Sequence, residues 1–242
     1  MEPPLSKSTI RTRLLERDFS DRMHESDIAL FASRKKKASV LVPLILCENG
    51  DLEVLLTKRA AHLRADAGDV AFPGGKRDDE DADDTATALR ESWEEIGLHP
   101  SDVEVVSQLP PMTSRHGYFI TPVTGLIPET FEPDINPNEV EDVFRVPLID
   151  FLLCDNHKSQ RTSSKGRFAW LHYFEHIING KGFITWGLTA YLCITAACTI
   201  YQRAPDFEME PGFDHENLAQ GFIDLMAREK KEEALSADGS KL

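Results

Sequence analysis

Between Leu55 and Leu98 the chain reads as an apolar strand, a Phe-Pro-Gly-Gly turn, an acid-rich loop and an amphipathic helix. This order constrains the rest of the fold more than any other stretch does. In the helix, Glu91, Glu94 and Glu95 stand at i, i+3 and i+4, so their side chains leave from one face. Ala86, Leu89, Trp93 and Ile96 have the spacing of an opposite, core-facing stripe. Like charges stacked this way repel unless a counter-charge is at hand. One reading is a solvated acidic face with an Arg90–Glu94 ion pair. The other is a hard divalent cation, which takes oxygen ligands and keeps open positions for substrate phosphates.

What precedes the helix favours the cation. Phe72-Pro73-Gly74-Gly75 closes a short strand with glycines that permit positive φ and close approach of backbone to a ligand. Six of the seven residues from Asp78 to Asp84 are acids. Some suit the helix start near Thr85, and others lie within reach of the same ion.

Gly75, Asp81 and Arg90-Glu91-Ser92-Trp93-Glu94-Glu95-Ile96-Gly97-Leu98 together resemble the Nudix box, the signature of hydrolases that split diphosphates linked to another moiety. The match departs in three places. Asp81 stands where Glu is usual, the Asp81-to-Arg90 spacing is one residue longer, and Ser92 fills an aliphatic slot. Upstream, Leu55-Leu56-Thr57, Arg59-Ala60, Arg64, Gly68 and Phe72-Pro73-Gly74-Gly75 are similar to the additional signature of the coenzyme A diphosphatase branch. The likeness continues through Asn136-Pro137-Asn138-Glu139-Val140, Val146-Pro147-Leu148 and Trp186-Gly187-Leu188-Thr189, covering roughly Ser39 to Tyr201.

The resemblance implies an α/β (α+β) Nudix fold, a mixed β-sheet sandwiched between helices, here with added N- and C-terminal helices. It implies magnesium or manganese held by Glu91 and Glu95, with help from Glu94 and the Gly75 carbonyl. Arg90 would orient the carboxylate helix, Glu94 would take part in catalysis, and Glu139 would serve as an extra ligand or base. Arg59, Arg64 and Lys76 become the candidate substrate contacts. The implied reaction is hydrolysis of coenzyme A and acyl-CoA to 3′,5′-ADP and 4′-phosphopantetheine or its acylated form. Metal chemistry alone leaves two alternatives open: another nucleoside diphosphate derivative such as ADP-ribose or NADH, and a non-catalytic module that binds coenzyme A esters.

The chain divides into a helical extension over 1–38, a catalytic domain over 39–204 and a C-terminal helix and tail over 205–242. Leu5 to Ala32 reads as one or two amphipathic helices. SVLVPLILC and LEVLLTKR read as paired strands around a turn at Glu48 to Asp51. VEVVSQL, YFITPVTGLI and RFAWLHYFEH read as further strands. WGLTAYLCITAACTIYQ is too short and too polar to span a bilayer and reads as a buried helix.

Glu139, Glu141 and Asp142 all precede VFRVPL, and Glu139 fits the branch pattern best. His62, His99 and His116 read as surface histidines. Cys47, Cys154, Cys193 and Cys198 read as buried, reduced thiols. A net charge of −14 argues against nucleic-acid binding. Arg34-Lys35-Lys36-Lys37 is the basic exception, either a solvated entry segment or an attractor of anionic substrate. An amphipathic helix is expected through Leu218, Phe222, Leu225 and Met226. The terminal Ser240-Lys241-Leu242, behind a polar spacer, reads as an address for the peroxisomal import receptor.

Overall fold

The computed structural model describes residues 5–20, 36–164 and 167–218. The helical stretch expected beyond Ser20, Arg34 and Lys35 of the basic run, the helix through Phe222, Leu225 and Met226, and Ser240-Lys241-Leu242 lie outside the described residues.

The two apolar runs form β1 (Lys37–Leu46) and β2 (Leu52–Arg59), antiparallel with Leu44 opposite Val54. Both are covered on both faces, which is why they read as nearly continuous hydrophobic sequence. The Phe-Pro-Gly-Gly turn separates β3 (Val70–Ala71), paired with β2, from β4 (Gly74–Lys76), paired with the start of β1. Helix α2 (Asp84–Ile96) follows, α1 being Lys7–Leu15. Next come β5 (Glu104–Gln108), β6 (Met112–Thr113), β7 (Phe119–Leu126), parallel to β1, and β8 (Val140–Pro147), antiparallel to β2. These strands make one eight-stranded mixed sheet.

Strand alternation sends apolar side chains into two cores. Leu41, Ile45, Leu55 and Val123 meet Ala88 and Ile96 of α2 on one face. Val42, Leu44, Val54 and Leu56 belong on the other, with helix α3 (Gly187–Tyr201) and with Ile10 and Leu14 of α1. α3 is the expected core helix, and it is covered without a break from Leu192 to Ile200. Its buried threonines turn inward to helix carbonyls, Thr195 Oγ1 donating to Tyr191 O and Thr199 Oγ1 to Thr195 O, both at 2.9 Å. No helix among the described residues is long and apolar enough to cross a membrane.

A second, three-stranded antiparallel sheet shares the α3 layer: β9 (His157–Ser164), β10 (Arg167–Ile178) and β11 (Lys181–Trp186) in the order β11-β10-β9. Asn179 and Gly180, with φ of 51° and 78°, make the β10–β11 turn. Phe183 stacks on Phe144 of β8 with centroids 4.0 Å apart, which joins the two sheets. The main sheet therefore lies between α2 on one side and α1, α3 and the small sheet on the other. Two cysteines depart from the expected burial, Cys47 being half-buried. All four are free, but Cys154 is exposed, with Sγ donating to Asp206 O at 3.3 Å.

Candidate active site

α2 begins at Asp83, whose carboxylate accepts the Ala86 N–H at 2.8 Å, and ends at Gly97 in the left-handed conformation with φ 71°. Its buried face is Asp84, Thr87, Ala88, Ser92, Glu95 and Ile96. This corrects the expected stripe. Trp93 is 54% exposed, its ring edge against His99, while Ala86 and Leu89 are only half-buried. The physical reason is local. Ser92, small and donating from Oγ to Ala88 O at 2.7 Å, lies against the sheet where an aliphatic residue is usual. The helix is turned so that Glu95, only 3% exposed, accepts the Gly74 N–H at 3.1 Å.

This rotation gathers carboxylates from two segments. Ligand oxygens of Glu91, Glu95 and Glu139 all lie within 4.8 Å of one another. Glu139 arrives on a loop hung from the C-terminal end of α2. Asp134 N–H donates to Ile96 O and Asn136 N–H to Glu95 O, each at 2.9 Å, satisfying carbonyls that a helix end leaves open. Ala60 N–H donates to Glu139 O at 2.9 Å and ties the same loop to the end of β2. Glu141 and Asp142 are on β8 and pair elsewhere, with Lys58 and Lys181, at 2.7 Å each. Gly75 leaves room for the Glu91 carboxylate: a Cβ there would sit 2.5 Å from both of its oxygens and displace them.

Arg90 braces this arrangement. Its Nε and Nη2 donate to the two oxygens of Asp81 at 2.9 and 3.0 Å, and Nη2 also reaches Lys76 O at 3.0 Å. Nη1 lies 3.1 Å from Glu91 Oε1 and donates to Glu94 Oε2 at 3.0 Å. The bidentate Arg90 bonds hold the Asp81 carboxyl well below the usual carboxylate range, outweighing burial, and raise the guanidinium pKa in turn. Asp81 thus acts as the anchor of Arg90, a role its spacing from the helix does not advertise. Glu94 stands outside the three-carboxylate cluster, with a side chain 52% exposed and turned to Arg90.

Burial pushes the Glu95 carboxyl up to about 8, with Glu91 and Glu139 adding to the rise and the Gly74 N–H and Arg59 opposing it. Burial also raises Glu91, against the pull of Arg90. Arg59 sits at the end of β2 close enough to act on Glu95, and its Nε is buried with no hydrogen-bond partner among the described residues. Arg64 is exposed on the 60–69 loop, and Lys76 is exposed at the end of β4. The three histidines make surface contacts: His62 with Asn138 O, His99 with Ser101 Oγ and His116 with Asp66.

Three close carboxylates form an all-oxygen donor set whose mutual repulsion a hard divalent cation relieves, and the space kept by Gly75 preserves it, so these residues fit such an ion. Residues 35–169 match the NUDIX domain. The chain belongs to the Nudix hydrolase family, has its α+β fold and is a hydrolase of a family that generally uses divalent metal ions.

Among its relatives, the mitochondrial Nudix hydrolase 15 of Arabidopsis thaliana is 42% identical over 188 residues, 76% of this chain and 66% of that protein. The chloroplastic Nudix hydrolase 22 of the same plant is 39% identical over 229 residues, 90% of this chain and 76% of that one. The peroxisomal coenzyme A diphosphatase of Mus musculus is 39% identical over 213 residues, 86% of this chain and 89% of that one.

Proposed function

We propose that this hydrolase cleaves the diphosphate bond of coenzyme A and its acyl esters, giving 3′,5′-ADP and 4′-phosphopantetheine or its acylated form. The observation that carries the reading is the Glu91, Glu95 and Glu139 cluster, closed to within 4.8 Å beside an orphaned, buried Arg59 Nε. The mouse relative, similar over most of both chains, carries the name of a coenzyme A diphosphatase. A magnesium or manganese ion held by these carboxylates supplies Lewis acidity at the diphosphate and lowers the pKa of water.

Glu91 and Glu95 would provide the ligand oxygens, with the Gly75 carbonyl as a further candidate donor, and Arg90 fixes the direction of Glu91. Glu139 accepts the proton of the water that attacks phosphorus, and one P–O bond of the anhydride breaks. Glu94 is assigned an outer role, as ligand or proton acceptor, since its exposed pairing with Arg90 is weak. Arg59 donates its unpartnered N–H to a phosphate oxygen, and Arg64 and Lys76 offset charge elsewhere on the substrate.

The test is a product-resolved panel of coenzyme A, an acyl-CoA, dephospho-coenzyme A, ADP-ribose and NADH, with magnesium, with manganese and with excess chelator. Fastest cleavage of coenzyme A or its ester, abolished by chelation, is expected. Faster cleavage of ADP-ribose or NADH transfers the assignment to another nucleoside diphosphate derivative. Tight binding of coenzyme A esters without products makes the chain a binding module.

The named relatives span mitochondrion, chloroplast and peroxisome, so the proposed peroxisomal location rests on Ser240-Lys241-Leu242 and the import receptor it addresses. Removing residues 240–242 leaves an active enzyme in the cytosol if this holds. Continued import of the truncated chain alone refutes it.

A further inference from the structure

Resting on the coenzyme A reading, we propose that Lys36, Lys76 and Tyr118 form a second anion subsite, separate from the carboxylate cluster, that takes a phosphomonoester on the substrate's ribose.

The sheet brings these residues together. Lys37 is opposite Phe119 in the parallel β1–β7 pair, which places Lys36 beside Tyr118, and Ala38 is opposite Lys76 in the β1–β4 pair. Lys36 and Ala38, two residues apart on extended backbone, share a face of the sheet, and their cross-strand neighbours Tyr118 and Lys76 share it with them. The Lys36 and Lys76 Nζ atoms stand 5.4 and 5.7 Å from the ring centroid, and Lys36 Nζ donates to His116 O at 3.5 Å. A tight turn fixes the ring. Ser114 N–H donates to Tyr118 O at 2.8 Å, Tyr118 N–H to Ser114 Oγ at 3.1 Å and Gly117 N–H to Ser114 O at 2.9 Å.

The charges set this corner apart from the cations around it. The chain carries 41 acidic against 27 basic residues, and neighbouring cations are matched: Arg77 with Asp84, Lys58 with Glu141, Arg115 with Asp66 and Asp69. Lys36 and Lys76 gather on one ring, and among the described residues neither has a carboxylate at ion-pair distance. Two ammonium groups 5.4 and 5.7 Å from one ring centroid make a corner of positive charge that a dianion offsets.

The position also separates this anion from the scissile diphosphate. Gly75 turns toward Glu91, and successive strand residues face opposite sides, so Lys76 points away from the carboxylate cluster although it is the next residue. A phosphate met there belongs to a different branch of the substrate. The ribose of coenzyme A has this form, with the diphosphate on its 5′-oxygen and a phosphomonoester on its 3′-oxygen.

The experiment is calorimetry on the full chain in magnesium buffer with two probes, adenosine 3′,5′-bisphosphate and adenosine 5′-monophosphate. The bisphosphate is expected to bind at least about tenfold more tightly, the usual scale of a charge-assisted contact. The Lys36→Gln, Lys76→Gln double variant loses this difference, Lys36→Arg keeps part of it, and rising salt shrinks it. Both lysines are exposed, so the variants fold. Equal affinities, no measurable binding of the bisphosphate, or a preference that survives in the double variant overturns the subsite. A preference intact in a chain that fails to cleave coenzyme A sinks the diphosphatase reading alone, whereas cleavage without the preference sinks only the subsite.

Discussion

Glu95 links the stability of the metal-free protein to pH. Its carboxyl is pushed up to about 8 in the fold, while an unfolded-chain glutamate titrates near 4.3. Between those values the folded state holds a proton that the unfolded state has released, so stability is full below about 4.3, falls as pH rises and levels off above about 8. From pH 6 to 9 the sloping part covers roughly two pH units, at about 1.4 kcal/mol each, for a loss of about 3 kcal/mol.

A chain of this size shifts its melting temperature by roughly 2–4 °C per kcal/mol, which predicts a drop of about 6–12 °C. Other groups add their own pH dependence, including His157 and His172, which burial lowers in the fold while an unfolded-chain histidine titrates near 6.5. The comparison is therefore with Glu95→Gln, which keeps an oxygen to accept the Gly74 N–H and cancels every shared titration. Thermal unfolding of both proteins in chelator, at intervals from pH 6 to 9, should show curves that lie closest at pH 6 and separate toward pH 9, with the variant more stable. Magnesium should restore the wild type at pH 9 and leave the variant nearly unmoved. Parallel curves across the range would refute the buried, proton-holding Glu95.

Glu91→Gln should keep the melting temperature within a degree or two and lower turnover by at least about a hundredfold, read by product assay at saturating magnesium. Asp81→Asn removes one side of the bidentate Arg90 pair and is expected to destabilise by about 3 kcal/mol in denaturant unfolding, with a fall in turnover as Arg90 releases Glu91. Unchanged stability would remove the anchoring role. Gly75→Ala places a methyl group 2.5 Å from the Glu91 oxygens and should weaken magnesium binding at least tenfold by titration calorimetry, with a melting shift too small to explain it.

The sequence was most legible where one physical signal decided the outcome. β1, β2 and α3 are buried all round, and continuous apolar runs of strand and helix length leave few alternatives for them. β9 went unseen because HKSQRTSS has no apolar alternation, and its strand state comes from pairing with β10. Trp93 was misread for the opposite reason. Its apolar character fits a core stripe, yet α2 spends its buried face on Glu95 and Ser92, and the tryptophan is left outside. The small Ser92 was visible as a departure from the Nudix pattern, but what it permits, the rotation of a carboxylate into the sheet, depends on Gly74 and Arg59 from segments far upstream.

Glu139 shows most clearly why the site exceeds what spacing encodes. Its sequence distance from Glu95 carries no periodicity, and Glu141 and Asp142 present the same chemistry two and three places on from it. The choice among them is made by backbone: carbonyls left open at the end of α2 capture the Asp134 and Asn136 N–H groups, and the Ala60 N–H captures Glu139 O. β8 starts immediately afterwards, and its alternation and register send Glu141 to Lys58 and Asp142 to Lys181. Two of the three clustered carboxylates are therefore fixed by a helix packed on the sheet, and the third by the way that helix ends. Any displacement of α2 moves both Glu95 and the loop that brings Glu139, so the cluster holds its spacing as one unit. The Arg90–Asp81 pair braces that same helix against β4 and the acidic loop.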